Sequence, residues 1–397
     1  MDSPSMAGST PLLHTPRVFD SFFLGGFECS THRRKDGRRL DLLAATRHDQ
    51  LAAEDYQAMR EHGIRTLRDG LRWHLIETAP GRYDWSSFLP MLHAARAQGV
   101  QVIWDLLHYG WPDDLDIWSG AFVERFAAFA GAAARLVRDE GGAAPFYCPV
   151  NEISYWAWAG GETGMFWPLA KKRGDELKQQ LARTAIAAVA AIRVADPRAR
   201  IVFADPVINV VAQTPASAED AERMRLAQYA AWDMLTGRQA PELGGTADTL
   251  DLIGVNYYSD NQWLTNGTTI ARADRAYRPF SELLRETYAR YGKPLFVAET
   301  GAEGEARSEW LAYIAGEVVR ALGDGVPLEG ICLYPVLDYP GWINDRHCET
   351  GLLGFADENN NGQREVHREL ARQLAFQQSR IDALRTTGHS PMPAPLA

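Results

Sequence analysis

Cysteine is scarce in this chain: four in 397 residues, Cys29, Cys148, Cys332 and Cys348, with no CxxC pair. That spacing removes the zinc-finger and dithiol redox signals. No run of eighteen or more apolar residues occurs, so no membrane-spanning helix is expected. Basic charge is not in excess: 41 Lys and Arg stand against 51 Asp and Glu. The net charge of −10 argues against a general nucleic-acid or anionic-membrane partner. The opening stretch MDSPSMAGSTPLLHTPR lacks a charged segment followed by an apolar run. No signal peptide is therefore expected, and a cytoplasm that keeps the thiols reduced fits best. No GxGxxG turn follows the first apolar run, which weakens a doubly wound dinucleotide-binding sheet.

What is present is regular. Short apolar runs recur as FFLGGF (22–27), TLRDGL (66–71), VQVIWDLLH (100–108), PFYCPV (145–150), RIVFADPVINVV (200–211), LDLIGVNYY (250–258), PLFVAE (294–299) and GICLYPVLD (330–338). Several are continuously apolar, as strands buried on both faces are. Between them lie stretches with 3.6-residue spacing at 51–63, 86–99, 122–142, 176–197, 221–237, 278–292 and 308–325, and 364–384 closes the series. Strand then helix, eight times, predicts an α/β chain folded as a single (β/α)₈ TIM barrel. The barrel is expected over 19–385, with flexible tails at 1–18 and 386–397.

In such a barrel the reactive groups stand at the C-terminal strand ends. Two glutamates each terminate an otherwise apolar run, Glu152 the fourth and Glu299 the seventh. Paired carboxylates across one mouth are what glycoside hydrolysis needs: an acid with a raised pKa and an ionised partner. Arg68, on the second strand, could keep Glu299 ionised, and Tyr258 could hold its rotamer. Either glutamate alone reads equally well as half of a rim salt bridge. Twelve tryptophans tilt the composition toward a ring-binding site. The stretch WAWAGGETGMFW (156–167) is expected to line the leaving-group side, with Trp156, Trp158 and Trp167 as platforms and Gly160-Gly161 giving it mobility.

An ordered series of motifs resembles the glycoside hydrolases of clan A, most closely family 1, the β-glucosidase type. RDGLRWHLI (68–76) is similar to that family's second-strand run, LLHYGWP (106–112) to its Leu-His-His-Trp-Asp-Leu-Pro segment, and VNEI (150–153) to its acid/base motif. DLIGVNYY (251–258) nearly matches the family consensus, VAETG (297–301) resembles the nucleophile motif, and 351–370 resembles the C-terminal segment. The resemblance implies a retaining β-glycoside hydrolase with Glu152 as acid/base and Glu299 as nucleophile. It also implies that Asn151 binds the sugar 2-hydroxyl, that His108 lies on the 3-hydroxyl side, and that Arg68, Asn256 and Tyr258 support the nucleophile. Its departures are local. Ile153 stands in place of Pro, Thr300 in place of Asn, and Glu28 at the position of a sugar-binding Gln. In the last-strand segment YPVLDYPGW (334–342) only Asp338 and Trp342 echo the family. The chemistry therefore reads as kept and the identity of the sugar as open. Transfer to a sugar acceptor, or a catalytically silent carbohydrate-binding barrel, are the alternatives.

The expected partner is a small β-glycoside or oligosaccharide, with no nucleic acid, no membrane, no cofactor and no metal. The oligomeric state is left open. HRRKDGRR (32–39) is expected on the active side, either as a solvated basic loop or as a receiver of an anionic sugar substituent. DENNNG (357–362) begins like a calcium loop, but its twelfth position, Arg368, supplies no carboxylate. Cys29 and Cys332 fall on adjoining strands, and reduced thiols are favoured there over a disulfide.

Overall fold

A computed structural model of the protein describes residues 18–356 and 362–386. Eight parallel strands close into a barrel: β1 Phe23–Gly26, β2 Thr66–Gly70, β3 Gln101–Asp105, β4 Phe146–Cys148, β5 Arg200–Pro206, β6 Leu252–Asn256, β7 Leu295–Thr300 and β8 Leu328–Leu333. Closure is direct, because β1 pairs with both β2 and β8. Each strand is followed by helix: α1 His48–Glu61, α2 Leu89–Gln98, α3 Gly120–Asp139, α4 Gly174–Ala195, α5 Ala218–Leu226, α6 Phe280–Tyr291, α7 Ala306–Gly323 and α8 Arg368–Thr386. The expected barrel is met strand for strand. No helix among the described residues is long and apolar enough to cross a membrane.

The strands are apolar throughout because both faces are covered. Leu24, Ile103, Phe146, Val202, Leu252 and Phe296 fill the inside. Their neighbours Val102, Ile201 and Val297 point outward to the helices. Each such burial is worth roughly 1.5–3 kcal/mol. Phe19 plugs the end where the strands begin, its ring 5.4 Å from Phe146 and 5.1 Å from Phe296. The opposite end is therefore left to carry polar groups. Gly26 shapes that end: a Cβ there would lie 2.1 Å from the Tyr334 ring.

Local differences from expectation have physical causes. The segment expected as one helix over 221–237 is α5, a 3₁₀ turn at Ala227–Tyr229 and a short helix, Ala230–Leu235. The closing helix begins at Arg368, because Arg364–Val366 pairs as a strand with Leu353–Ala356. Arg364 is drawn to Asp55, at 2.6 Å. The stretch after β4 is coiled rather than loose, with helix at Ile153–Trp156 and a wide turn over Ala157–Glu162. Gly160 and Gly161 allow close packing there: added Cβ atoms would meet Pro168 at 2.9 Å and Leu177 at 3.0 Å. The expected tails, apart from Val18 and Thr386, and most of DENNNG lie outside the described residues.

Candidate active site

Backbone geometry delivers both glutamates to the open end. The inside positions of β7 are Phe296 and Ala298, so plain alternation would send Glu299 outward. The register of β7 against β6 shifts between Val297 and Glu299, and this irregularity sets Glu299 opposite Asn256. Glu152 follows β4 in a left-handed conformation, φ 46°, and Tyr109 follows β3 at φ 68°. Two non-glycine residues held in that sparsely populated region meet in one place: the Tyr109 hydroxyl donates to Glu152 Oε2 at 2.5 Å. Asp205, at the end of β5, fixes the turn from below. Both its oxygens accept from the Ser154 backbone N–H at 3.1 Å. Burial, opposed by those Ser154 contacts, pushes the Asp205 carboxyl up to about 7.

The two carboxylates sit in opposed settings. Glu299, 5% exposed, accepts from Arg68 Nη1 at 2.6 Å and from the Tyr258 hydroxyl at 3.1 Å. Glu152, 8% exposed, has no cationic partner among its hydrogen bonds; Asn256 Nδ2 donates to its other oxygen at 2.8 Å. Burial first, and the nearby Glu299 charge second, hold the Glu152 carboxyl well above the usual range. Glu152 is thus disfavoured as a bare anion, while Glu299 lies in an ion pair with Arg68.

A hydrogen-bonded ring joins them. Arg68 forks onto Asp105, Nε to Oδ1 at 3.0 Å and Nη2 to Oδ2 at 2.7 Å, and also donates to Asn151 Oδ1. Asn151 Nδ2 donates to His108 Nε2 at 3.0 Å and to the Tyr109 hydroxyl at 3.2 Å. That orientation leaves the His108 Nδ1 hydrogen for Asp105 Oδ2, at 3.0 Å. Asp105 stays below its ordinary pKa: burial opposes this, and Arg68 and His108 outweigh it. Glu28 accepts from Ser30 N at 2.9 Å and lies 3.8 Å from His108. Its burial raises it to about 7, with His108 pulling down and Glu299 pushing up.

Several expected site residues occupy different positions from those their sequence suggests. Asn256 bonds Glu152, not Glu299. Both N–H bonds of Asn151 are spent inside the protein, as are the ring nitrogens of His108, so these two are struts of the ring rather than free sugar donors. Asp338 anchors its own loop, accepting from Gly351 N at 2.8 Å and His347 Nε2 at 3.0 Å, with Arg307 at 3.7 Å. Trp156 is fully buried, so it presents no platform; its indole N–H goes to the Trp167 carbonyl. Trp158 does stand at the rim, 50% exposed. Trp342 closes over the mouth against Tyr109, Tyr155 and Phe166. Tyr109 and Asp105 join the hydrogen-bonded ring, and motif reading left both without a role; their place at the end of the third strand was the signal. Among the buried polar atoms at this end without a protein partner are Asn256 Oδ1, the Tyr334 hydroxyl and the Trp342 indole nitrogen.

The basic loop turns its charge sideways. Arg33 and Arg39 pair with Asp113 after β3, and Arg34 and Arg38 with Asp345 after β8. It straps neighbouring loops together instead of aiming cations at the glutamates. Cys29, Asp105 and His108 form the one trio among the described residues whose ligating atoms lie within 4.8 Å. Arg68 already takes both oxygens of that Asp105, so a cation there would face a guanidinium. All four cysteines are unpaired and buried.

No family model matches the chain, and no curated protein matches it. Solved structures do. A β-glucosidase from Thermotoga maritima in complex with glucoimidazole matches with a TM-score of 0.74 at 14% identity, over 93% of this chain and 100% of that one. A structure described as the family 1 β-glucosidase of the same organism gives 0.72 at 15% identity, over 93% and 99%. An enzyme termed AHE from Alicyclobacillus herbarius gives 0.73 at 18% identity, over 91% and 100%. At these identities the likeness establishes a shared barrel over most of the chain, with structures of the family whose motifs the sequence resembles.

Proposed function

We propose that the protein is a retaining β-glycoside hydrolase with Glu299 as nucleophile and Glu152 as acid/base. The observation that carries this reading is the opposed setting of two buried glutamates at the ends of β4 and β7. One is ion-paired to Arg68, and the other is raised by burial and by its partner's charge. Glu299 attacks the anomeric carbon as the bond to the leaving oxygen breaks, and the Glu152 proton passes to that oxygen. Glu152, now ionised, takes a proton from water. The water oxygen then attacks the same carbon, and the ester to Glu299 breaks. Two inversions leave the configuration unchanged. Arg68 and Tyr258 position the nucleophile, while Tyr109 and Asn256 position the acid.

The likeness to β-glucosidase structures supports the same substrate class. Asn256 Oδ1, the Tyr334 hydroxyl and the Trp342 indole N–H are the groups left to meet sugar hydroxyls. The test is nitrophenol release from a panel of aryl β-glycosides: glucoside, galactoside, fucoside, xyloside, glucuronide and 6-phosphoglucoside. Turnover of at least one is expected, falling on the order of 10⁴-fold or more in Glu299→Gln with the fold retained. Near-wild-type turnover in that variant contradicts the assignment.

A further inference from the structure

β5 ends in a buried carboxylate that takes no part in the reaction as written above. Alternation sets Val202 and Ala204 inside the barrel, so Asp205 points outward, away from a sugar held in the mouth. It is 2% exposed. Its setting is the turn that carries Glu152. The Glu152 backbone N–H donates to the Ala204 carbonyl at 2.9 Å, and both Asp205 oxygens accept from the Ser154 N–H at 3.1 Å. Two successive residues of β5 thus clamp the chain on either side of the Glu152 side chain. Between the clamps Glu152 holds φ 46° and ψ 59°, a conformation that persists only where the surroundings enforce it. The same strand end steadies the carboxyl itself. Asn256, which donates to Glu152 Oε1 at 2.8 Å, is the register partner of Pro206, next to Asp205.

One N–H needs one acceptor, and an asparagine at 205 would supply it without burying a charge. What the carboxylate adds is the charge, at a cost. Burial raises Asp205 to about 7, against the Ser154 contacts and the Lys178 ammonium of α4. The charge faces the Ser154 and Tyr155 backbone on the turn, Lys178 on α4, and Glu152. Glu152 in turn faces Glu299, Tyr109 and Asn256, with the phenols of Tyr155 and Tyr258 close by. After burial and Glu299, Asp205 is the next group that opposes ionisation of Glu152, against the hydrogen bonds from Tyr109 and Asn256. Asp205 gains its charge as pH rises through about 7. Its push on Glu152 is therefore present on the alkaline side, where a general acid loses its proton.

We propose that Asp205 is a positioning residue for proton delivery, which clamps the turn of Glu152 and sets a fixed negative charge behind that acid. It rests on the glycosidase reading of the Glu152–Glu299 pair. The test compares wild type with Asp205→Asn and Asp205→Ala on aryl glycosides of one sugar, with 2,4-dinitrophenol, 4-nitrophenol and phenol as leaving groups. Dinitrophenol departs with little help from an acid, and phenol needs that help. At pH 8, Asp205→Asn is expected to lose about tenfold more kcat/KM on the phenyl than on the dinitrophenyl glycoside. Its alkaline limb on the phenyl glycoside moves down by about half a pH unit or more, and at pH 6 most of the phenyl loss disappears. Asp205→Ala, which removes the acceptor as well, keeps the leaving-group bias at both pH values. Equal losses on all three glycosides, or an unmoved alkaline limb in Asp205→Asn, overturn the proposal. A measurement without turnover separates it from the glycosidase reading. The Glu152 carboxyl is titrated by NMR in protein carrying carbon-13 at its glutamate carboxyls, with Glu152→Gln identifying the signal. A lower midpoint in Asp205→Asn than in the unmodified chain upholds the proposal even if no glycoside is hydrolysed. Equal midpoints overturn it.

Discussion

Arg68 and Asp69 are neighbours on β2, both fully buried and both charged, yet they belong to different structures. Strand alternation turns Arg68 into the barrel mouth and Asp69 out toward α1. Asp69 accepts from His48 Nε2 at 2.8 Å, the Tyr56 hydroxyl at 2.6 Å and Gly70 N at 2.7 Å. His48 reaches Asp55 through its other nitrogen at 2.7 Å, and Arg364 closes the cluster onto Asp55. None of its side-chain polar atoms lacks a partner. The Arg68 network joins two glutamates of unlike character, and orphaned polar atoms stand around it. A buried ionic network that satisfies itself fastens β2, α1 and the C-terminal region. One that leaves groups open is set up for a ligand.

The largest expected effect on stability comes from breaking the closed network. Asp69→Asn leaves a buried imidazolium with half its compensation and is expected to cost about 3–5 kcal/mol in urea unfolding. The residual aryl-glycoside kcat of folded protein should change little. Burial lowers the pKa of His48, but Asp69 and Asp55 outweigh it and raise it to about 9. Its stabilisation is therefore full below about pH 6.5 and lost as pH rises toward 9. That decline should be shallower in Asp69→Asn, and an unchanged pH profile would mean the cluster does not hold the proton. A smaller effect is expected in the open network. The Tyr109 hydrogen bond favours ionised Glu152, so Tyr109→Phe should move the alkaline limb of kcat/KM upward, by up to about one pH unit. Activity above that limb fails because the acid has lost its proton. A downward shift would show that Tyr109 does not act through Glu152.

The barrel was legible because strands buried on both faces leave continuous apolar runs, and helices between them leave a 3.6-residue period. The break within 218–235 was not, since a 3₁₀ turn of three residues is too short to interrupt an apolar pattern read over the whole segment. At the site, Glu152, Glu299, Arg68 and Tyr258 stand out from their strand-end positions and motifs. The inward aim of Glu299 depends on a register shift that no residue type announces. Asn256 and Asp338 show the limit of motif reading: Asn256 ends β6 as expected but bonds Glu152, far away in sequence, while Asp338 lies past the end of β8 and anchors its own loop through Gly351 and His347. Tyr109 needed the backbone, because its value lies in a left-handed φ.

The central claim is that Glu299 becomes covalently bonded to the sugar. Whichever aryl glycoside proves a substrate can be supplied with fluorine at the 2-position, which slows both steps, and a good leaving group, which spares the first. Intact-mass and peptide analysis then locate the adduct. One sugar bound to the peptide carrying Glu299, and none in Glu299→Gln, is the predicted result. Turnover of the parent glycoside with no adduct, or an adduct on any other residue, would contradict the account.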